Sequence, residues 1–281
     1  MTQRMRAPSE IRWLTASRLS VLVAVLAGAS SLIGLLVDGV YVGPASVAEM
    51  LRGFDLVTLV VVAPVLAWTQ SRGRRGSVLA RLLQLGMLAY LVYTYAYYLF
   101  GVSFNDVFLL HVAVFMAAVL ALAGTVLAVG IPSADAVVAR RTPRRLVSAV
   151  LGLLAVAMGG MWVFSSLRFA ATGEVPAGSM LVEPDLLVHL GIVLDLVLLV
   201  PFYALASALL WRGTAAGFVL AAVALISGTL HQVSYMVALW FQAAASVPGA
   251  VAFDPVEPVI AALFLVPAVL LLWEVRRRSE R

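Results

Sequence analysis

Cysteine and lysine are both missing from this chain. Without cysteine there is no disulfide framework, no thiolate metal ligation, no iron–sulfur cluster and no cysteine nucleophile. Without lysine there is no amine for a Schiff base, so retinal or pyridoxal attachment has no residue to use and a microbial-rhodopsin reading fails. All 19 basic residues are therefore arginine. Charge of either sign is scarce: 12% of the 281 residues are charged and 63% are hydrophobic, against about a quarter and about half in soluble domains. Most of this surface has to face a lipid bilayer. The net charge of +5 and the pI of about 10.0 do not point to nucleic acid, because the arginines share no exposed face and sit instead in short loops beside apolar runs.

A hydrocarbon core about 30 Å thick needs roughly 20 apolar residues in helical form. Runs of that kind occupy 19–37, 51–70, 78–100, 107–130, 146–168, 186–211, 214–240 and 257–274, which predicts an all-α, polytopic transmembrane helix bundle of about eight spans in a single domain, 1–281. Arginines cluster at Arg4, Arg6, Arg12 and Arg18, at Arg72, Arg74, Arg75 and Arg81, at Arg140, Arg141, Arg144 and Arg145, at Arg212, and at Arg276, Arg277 and Arg278. Each cluster lies an even number of spans from the start. The acidic residues Asp38, Glu49, Asp106, Glu174, Glu183, Asp185, Asp254 and Glu257 collect on the other side with only Arg52 and Arg168. The asymmetry predicts a plasma-membrane protein with both termini cytoplasmic. Ala27-Gly28-Ala29 after a basic leader resembles a signal cleavage site, but the apolar run continues through Leu36 and reads as a retained first span.

The second and sixth spans carry matching landmarks. Asp55-Leu56-Val57 is echoed by Asp195-Leu196-Val197, and an Arg-Gly pair follows each at equal spacing, Arg72-Gly73 and Arg212-Gly213; Gly76-Ser77-Val78-Leu79-Ala80 then matches Gly217-Phe218-Val219-Leu220-Ala221. These predict a parallel 4+4 internal repeat, 19–130 and 146–274, joined through the 131–145 segment and related by an axis along the membrane normal.

Both aspartates lie 17 residues from their arginines, roughly 25 Å along a helix and thus in the outer half of the membrane. Acidic side chains in spans face protein or water and mark candidate sites for a proton, a cation or a basic solute. His231 falls at similar depth, shares a helix face with Tyr235, and is matched in the repeat by Tyr90; Thr58 shares a face with Asp55. Asp55, Asp195, His231, Tyr235, Tyr90 and Thr58 are thus the candidate binding residues. His111, His189 and His231, all near the outer half, are the candidate ligands for a divalent metal, although no two share a helix. Tyr90, Tyr93, Tyr95, Tyr97 and Tyr98 crowd one span and read as an interfacial aromatic belt, while their excess on one helix leaves room for an aromatic-lined pocket that binds a cation or a flat solute. Pro64, Pro201 and Pro267 interrupt three spans, and Gly217, Ala221, Ala224 and Gly228 are small residues at helix-packing spacings that predict close helix contacts.

The strings Gly53-Phe54-Asp55-Leu56-Val57-Thr58-Leu59, Tyr93-Thr94-Tyr95-Ala96-Tyr97-Tyr98-Leu99-Phe100-Gly101 and Phe104-Asn105-Asp106-Val107-Phe108-Leu109-Leu110 resemble those of uncharacterised prokaryotic multi-pass membrane proteins. The resemblance implies no activity. Zinc-dependent membrane hydrolases use three histidines, an aspartate and a serine, but this chain lacks their paired histidines on one helix. Three readings stay open: a transporter or permease for a small solute or ion using Asp55, Asp195 and His231; a membrane-embedded metal-dependent hydrolase in which the three histidines hold the metal; and a non-catalytic membrane subunit or sensor.

Overall fold

The computed structural model describes residues 8–73, 77–129, 143–176 and 179–279. Arg4, Arg6, Arg74, Arg75, Arg140 and Arg141, Gly76 of the repeat and the 131–142 stretch of the proposed midpoint lie outside them. The described residues form eight helices and no strand: α1 Pro8–Leu36, α2 Ala45–Gly73, α3 Val78–Phe100, α4 Phe108–Val129, α5 Arg144–Thr172, α6 Asp185–Trp211, α7 Ala215–Ala244 and α8 Glu257–Ser279. Seven are long and apolar enough to cross a membrane, while α8 carries a shorter apolar stretch, Glu257–Trp273. The expected 78–100 span coincides with α3. By contrast α2 starts before the expected 51, because Ser46 and Glu49 interrupt the apolar run without interrupting the helix.

Local chemistry sets several boundaries. α3 and α7 each begin behind a hydroxyl cap: Ser77 Oγ accepts from the Ala80 amide at 3.3 Å and Thr214 Oγ1 from the Gly217 amide at 3.0 Å. α5 stops at Gly173, whose φ of 73° closes a left-handed cap. α2 and α6 each contain one π turn, Thr58–Val62 and Asp195–Leu199. Both turns end two residues before a proline, Pro64 and Pro201. The missing N–H and the ring's pressure on the preceding turn account for the widening in both helices. Matched on the aspartates, the two π turns are offset by three residues, so Asp55 precedes its wide turn whereas Asp195 opens its own.

α3 and α7 are the most enclosed helices and α6 the least. α1 to α4 pack around one apolar core that includes Met50, Leu88 and Leu91; the later part of α7 joins it through Ile226, Leu230, Ala238 and Leu239. The earlier part of α7, with Phe218, Ala221 and Leu225, belongs to a second core with α5, α6 and α8. Small residues permit these approaches, as the spacing of Gly217, Ala221, Ala224 and Gly228 suggested: Gly53 lies against the Ala238 backbone and Gly228 against the Phe264 ring. Gln84 of α3 donates to Ser20 Oγ of α1 at 2.8 Å and to Thr125 Oγ1 of α4 at 3.0 Å, joining three helices by buried polar contacts.

The end of the bundle with Arg72, Arg144 and Arg212 is termed proximal and the opposite end distal. Arg144 reaches Gly213 at the proximal end. The two distal arginines are paired locally, Arg52 with Asp38 at 3.0 Å and Glu49 at 3.2 Å, and Arg168 with Glu174.

Candidate functional site

The tyrosines of α3 divide between two faces. At 100° per residue, Tyr90, Tyr93 and Tyr97 fall within about 60° of one another, while Tyr95 and Tyr98 lie on the far side. Tyr90, Tyr95 and Tyr98 are buried and Tyr93 and Tyr97 half-buried. This corrects the expectation of an interfacial belt: α3 is central, so its hydroxyls are turned onto polar groups inside the bundle instead of onto headgroups.

On the face that carries Tyr95 and Tyr98 lies Asp55, fully buried. Tyr41, from the α1–α2 loop, donates to Asp55 Oδ2 at 2.5 Å; Tyr98 donates to Oδ1 at 3.0 Å and lies 3.1 Å from the Leu51 carbonyl. Gly34 of α1 lies so close that a Cβ there would stand 2.1 Å from Asp55 Oδ2. His111 of α4 completes the cluster, its ring stacked 6.3 Å from Tyr41 and edge-on to Tyr98 at 4.8 Å. Both His111 nitrogens are buried with no hydrogen-bond partner among the described residues, and the Ser30 and Ser31 hydroxyls lie beside the Tyr95 hydroxyl. All four helices of the first half contribute.

On the face that carries Tyr90, Tyr93 and Tyr97 lies Asp195 of α6, half-buried. Tyr93 donates to its Oδ1 at 2.7 Å and the Trp162 indole N–H of α5 to its Oδ2 at 2.8 Å. Tyr97 stands 3.4 Å from the Tyr93 hydroxyl. His231 of α7 lies with its ring 4.4 Å from Tyr93 and 5.1 Å from Tyr90, and the Tyr90 hydroxyl meets Ser234 Oγ at 2.7 Å. The His231 nitrogens are shielded from solvent beside the Tyr90 backbone. This cluster draws on α3, α5, α6 and α7 and so straddles the two halves.

Asp195, His231 and Tyr90 are therefore brought together, whereas Asp55 belongs to a separate cluster with its own donors. The expected shared carboxylate pocket becomes two sites on opposite faces of α3. Thr58 does not hold the Asp55 carboxylate; it is buried beside the Tyr90 hydroxyl. Tyr235 serves the distal loop, where its hydroxyl accepts from the Met180 amide at 2.8 Å. The three histidines do not converge: His111 sits with Asp55, His231 with Tyr93, and His189 in an outer groove beside Asp185. Among the described residues no group of three or more His, Asp or Glu side chains is placed to hold a metal ion. Tyr41 and Trp162 carry no sequence signal for their roles, whereas the 90, 93, 97 spacing of Tyr90, Tyr93 and Tyr97 could have revealed one inward face.

No arginine among the described residues forms an ion pair with either carboxylate. A carboxylate enclosed in a membrane protein and held by neutral donors alone retains affinity for positive charge, whether a proton or a cation, because removal from water penalises its free anionic form.

The α5–α6 loop straps the distal end. Gln242 of α7 accepts from the Val182 amide at 2.9 Å and donates to the carbonyls of Val182 at 3.0 Å and Ser46 at 2.8 Å. In this loop burial pushes the Glu183 carboxyl above its usual range; a hydrogen bond from Ser179 opposes the shift and the nearby charge of Asp195 adds to it. A carboxyl with a raised folded-state value favours the docked loop below its ordinary titration range, and that contribution is lost as pH rises through the raised value. Hydrogen-exchange protection of the Met180 and Val182 amides should therefore fall from acidic to neutral pH, and Glu183→Gln should flatten the profile.

Comparison with protein-family models, with curated proteins and with solved structures finds no match. What holds of the resemblance to multi-pass membrane proteins is the broader statement: this is an all-helical chain whose apolar helices are those of a multi-pass membrane protein.

Proposed function

We propose that the protein is a carrier or channel for a small organic cation, with Asp195 as the charge that selects it. One observation carries this reading: a carboxylate at the junction of the halves is held, among the described residues, by Tyr93 and Trp162, with the rings of Tyr97 and His231 against Tyr93 and that of Tyr90 against His231. Aromatic faces beside a carboxylate suit ammonium or guanidinium groups, which gain from the ring quadrupoles as well as from the charge. The packing supports the same place. α2 packs extensively on α7, whereas the corresponding pair under the 4+4 repeat, α6 and α3, barely touches. Asp195 stands at that loose seam. A subunit with purely structural polar groups would satisfy each of them, in contrast to the His111 nitrogens, unpartnered among the described residues.

The test is binding and vesicle uptake by the reconstituted protein, with tetraethylammonium, a primary alkylamine and guanidinium as probes. At least one should bind saturably, and Asp195→Asn should weaken it by at least about tenfold, the equivalent of 1.4 kcal/mol. Absence of binding by all three, or equal binding by the variant, would remove the proposal.

A further inference from the structure

We infer that the distal groove between α5 and α6 is the approach by which a small organic cation reaches Asp195. The groove has a volume of about 280 Å³ and is lined by Ser166, Phe169, Pro176, Asp185, His189 and Ile192 among others. Its walls are two helical stripes that run on into the Asp195 cluster. On α6, Asp185, Val188, Ile192 and Asp195 follow at intervals of three and four residues, so Asp195 lies one turn beyond Ile192 on the same face. On α5, Phe169, Ser166 and Trp162 continue the opposite wall in the same way, and Ser166 Oγ donates to the Trp162 carbonyl at 2.8 Å. Ile192 and Trp162 are 9% and 8% exposed. Ile192 lines the groove, and Trp162, one turn along α5 from Ser166, donates to Asp195.

The rim favours positive charge. Asp185 lines the groove and Glu183 lies near Asp195 from the loop above. Arg168, in the same turn as Phe169, is paired with Glu174. A groove with carboxylates at the mouth and base, and low-dielectric walls between, concentrates cations along its length. Phe169 and Pro176 supply apolar contact for an alkyl group, and His189 a polar rim. This inference rests on the cationic reading of Asp195 and adds where the cation enters.

The absence of cysteine from the chain makes the test direct, since an introduced thiol is the only one present. Ser166→Cys, His189→Cys and Ile192→Cys are reconstituted separately and reacted with two membrane-impermeant thiosulfonates, one bearing a trimethylammonium group and one a sulfonate. The cationic reagent should react faster by at least about tenfold at position 192, with a smaller preference at 166 and 189 nearer the mouth. Adding Asp195→Asn should cut the preference at 192 by about threefold or more and leave that at 189 little changed. Equal rates for the two reagents at 192, or no reaction there while 166 and 189 react, would overturn the inference. His189→Cys, on an exposed position, shows that each preparation is folded and accessible. The two proposals fail separately. Saturable tetraethylammonium binding that depends on Asp195, together with an unreactive 192, sinks the groove alone; charge preference at 192 without cation binding sinks the carrier reading alone.

Discussion

Gly53→Val is expected to destabilise the protein by about 3 kcal/mol or more, the upper range for overpacking a close contact. A Cβ at Gly53 would lie 2.5 Å from Ala238 Cα and 2.7 Å from its amide nitrogen. Both are backbone atoms of α7, so no side chain can swing away, and the two helices must separate. α2 on α7 is the broadest contact between the halves. Parting them also strains the hydrogen bond from Gln242 to the Ser46 carbonyl. Unfolding in detergent, followed by tryptophan fluorescence, measures the loss. Stability within about 1 kcal/mol of the parent would mean that the helices stand further apart than described.

The second large effect is expected at Gly34, and it depends on Asp55. A Cβ there would stand 2.1 Å from Asp55 Oδ2 and 2.3 Å from the Tyr41 hydroxyl. These are side-chain ends, but both are pinned: Asp55 is fully buried and bonded to Tyr41 and Tyr98. Gly34→Ala must therefore break a buried hydrogen bond, at a cost of about 2–3 kcal/mol. Asp55→Ala strands the Tyr41 hydroxyl and should cost a similar amount on its own. It also opens the space that the new methyl needs. The double variant should thus be more stable than the sum of the single losses allows, by at least about 1.5 kcal/mol in a double-mutant cycle. Simple additivity would show that Gly34 and Asp55 do not touch.

Much of the architecture was legible before any coordinates. The arginine clusters, the apolar runs and the prolines locate eight helices to within a few residues at most boundaries, because a bilayer forces each segment to satisfy its own backbone and leaves little freedom of length. The small residues of α7 were readable as packing contacts for the same reason. Asp55 and Asp195 were legible as unusual, since an acidic side chain in an apolar run demands a partner. The identity of the partner was not. Tyr41 approaches Asp55 from a loop 14 residues away and Trp162 approaches Asp195 from 33 residues away on a different helix. No periodicity within a segment encodes such encounters.

The same distinction explains the belt of tyrosines and the trio of histidines. Residue type and position along each helix can be read from the chain, but position along a helix says nothing about rotation around the bundle. The division of Tyr93 and Tyr98 between two carboxylates, and of His111 and His231 between two clusters, was fixed only when α3 took the central position and turned opposite faces to the two halves. The sequence by itself determined how many helices form, where two of them widen before a proline and which polar groups must be hidden. Only the tertiary structure decided which of those groups meet, because helix–helix contacts between side chains distant in sequence set the rotation of each helix about its own axis.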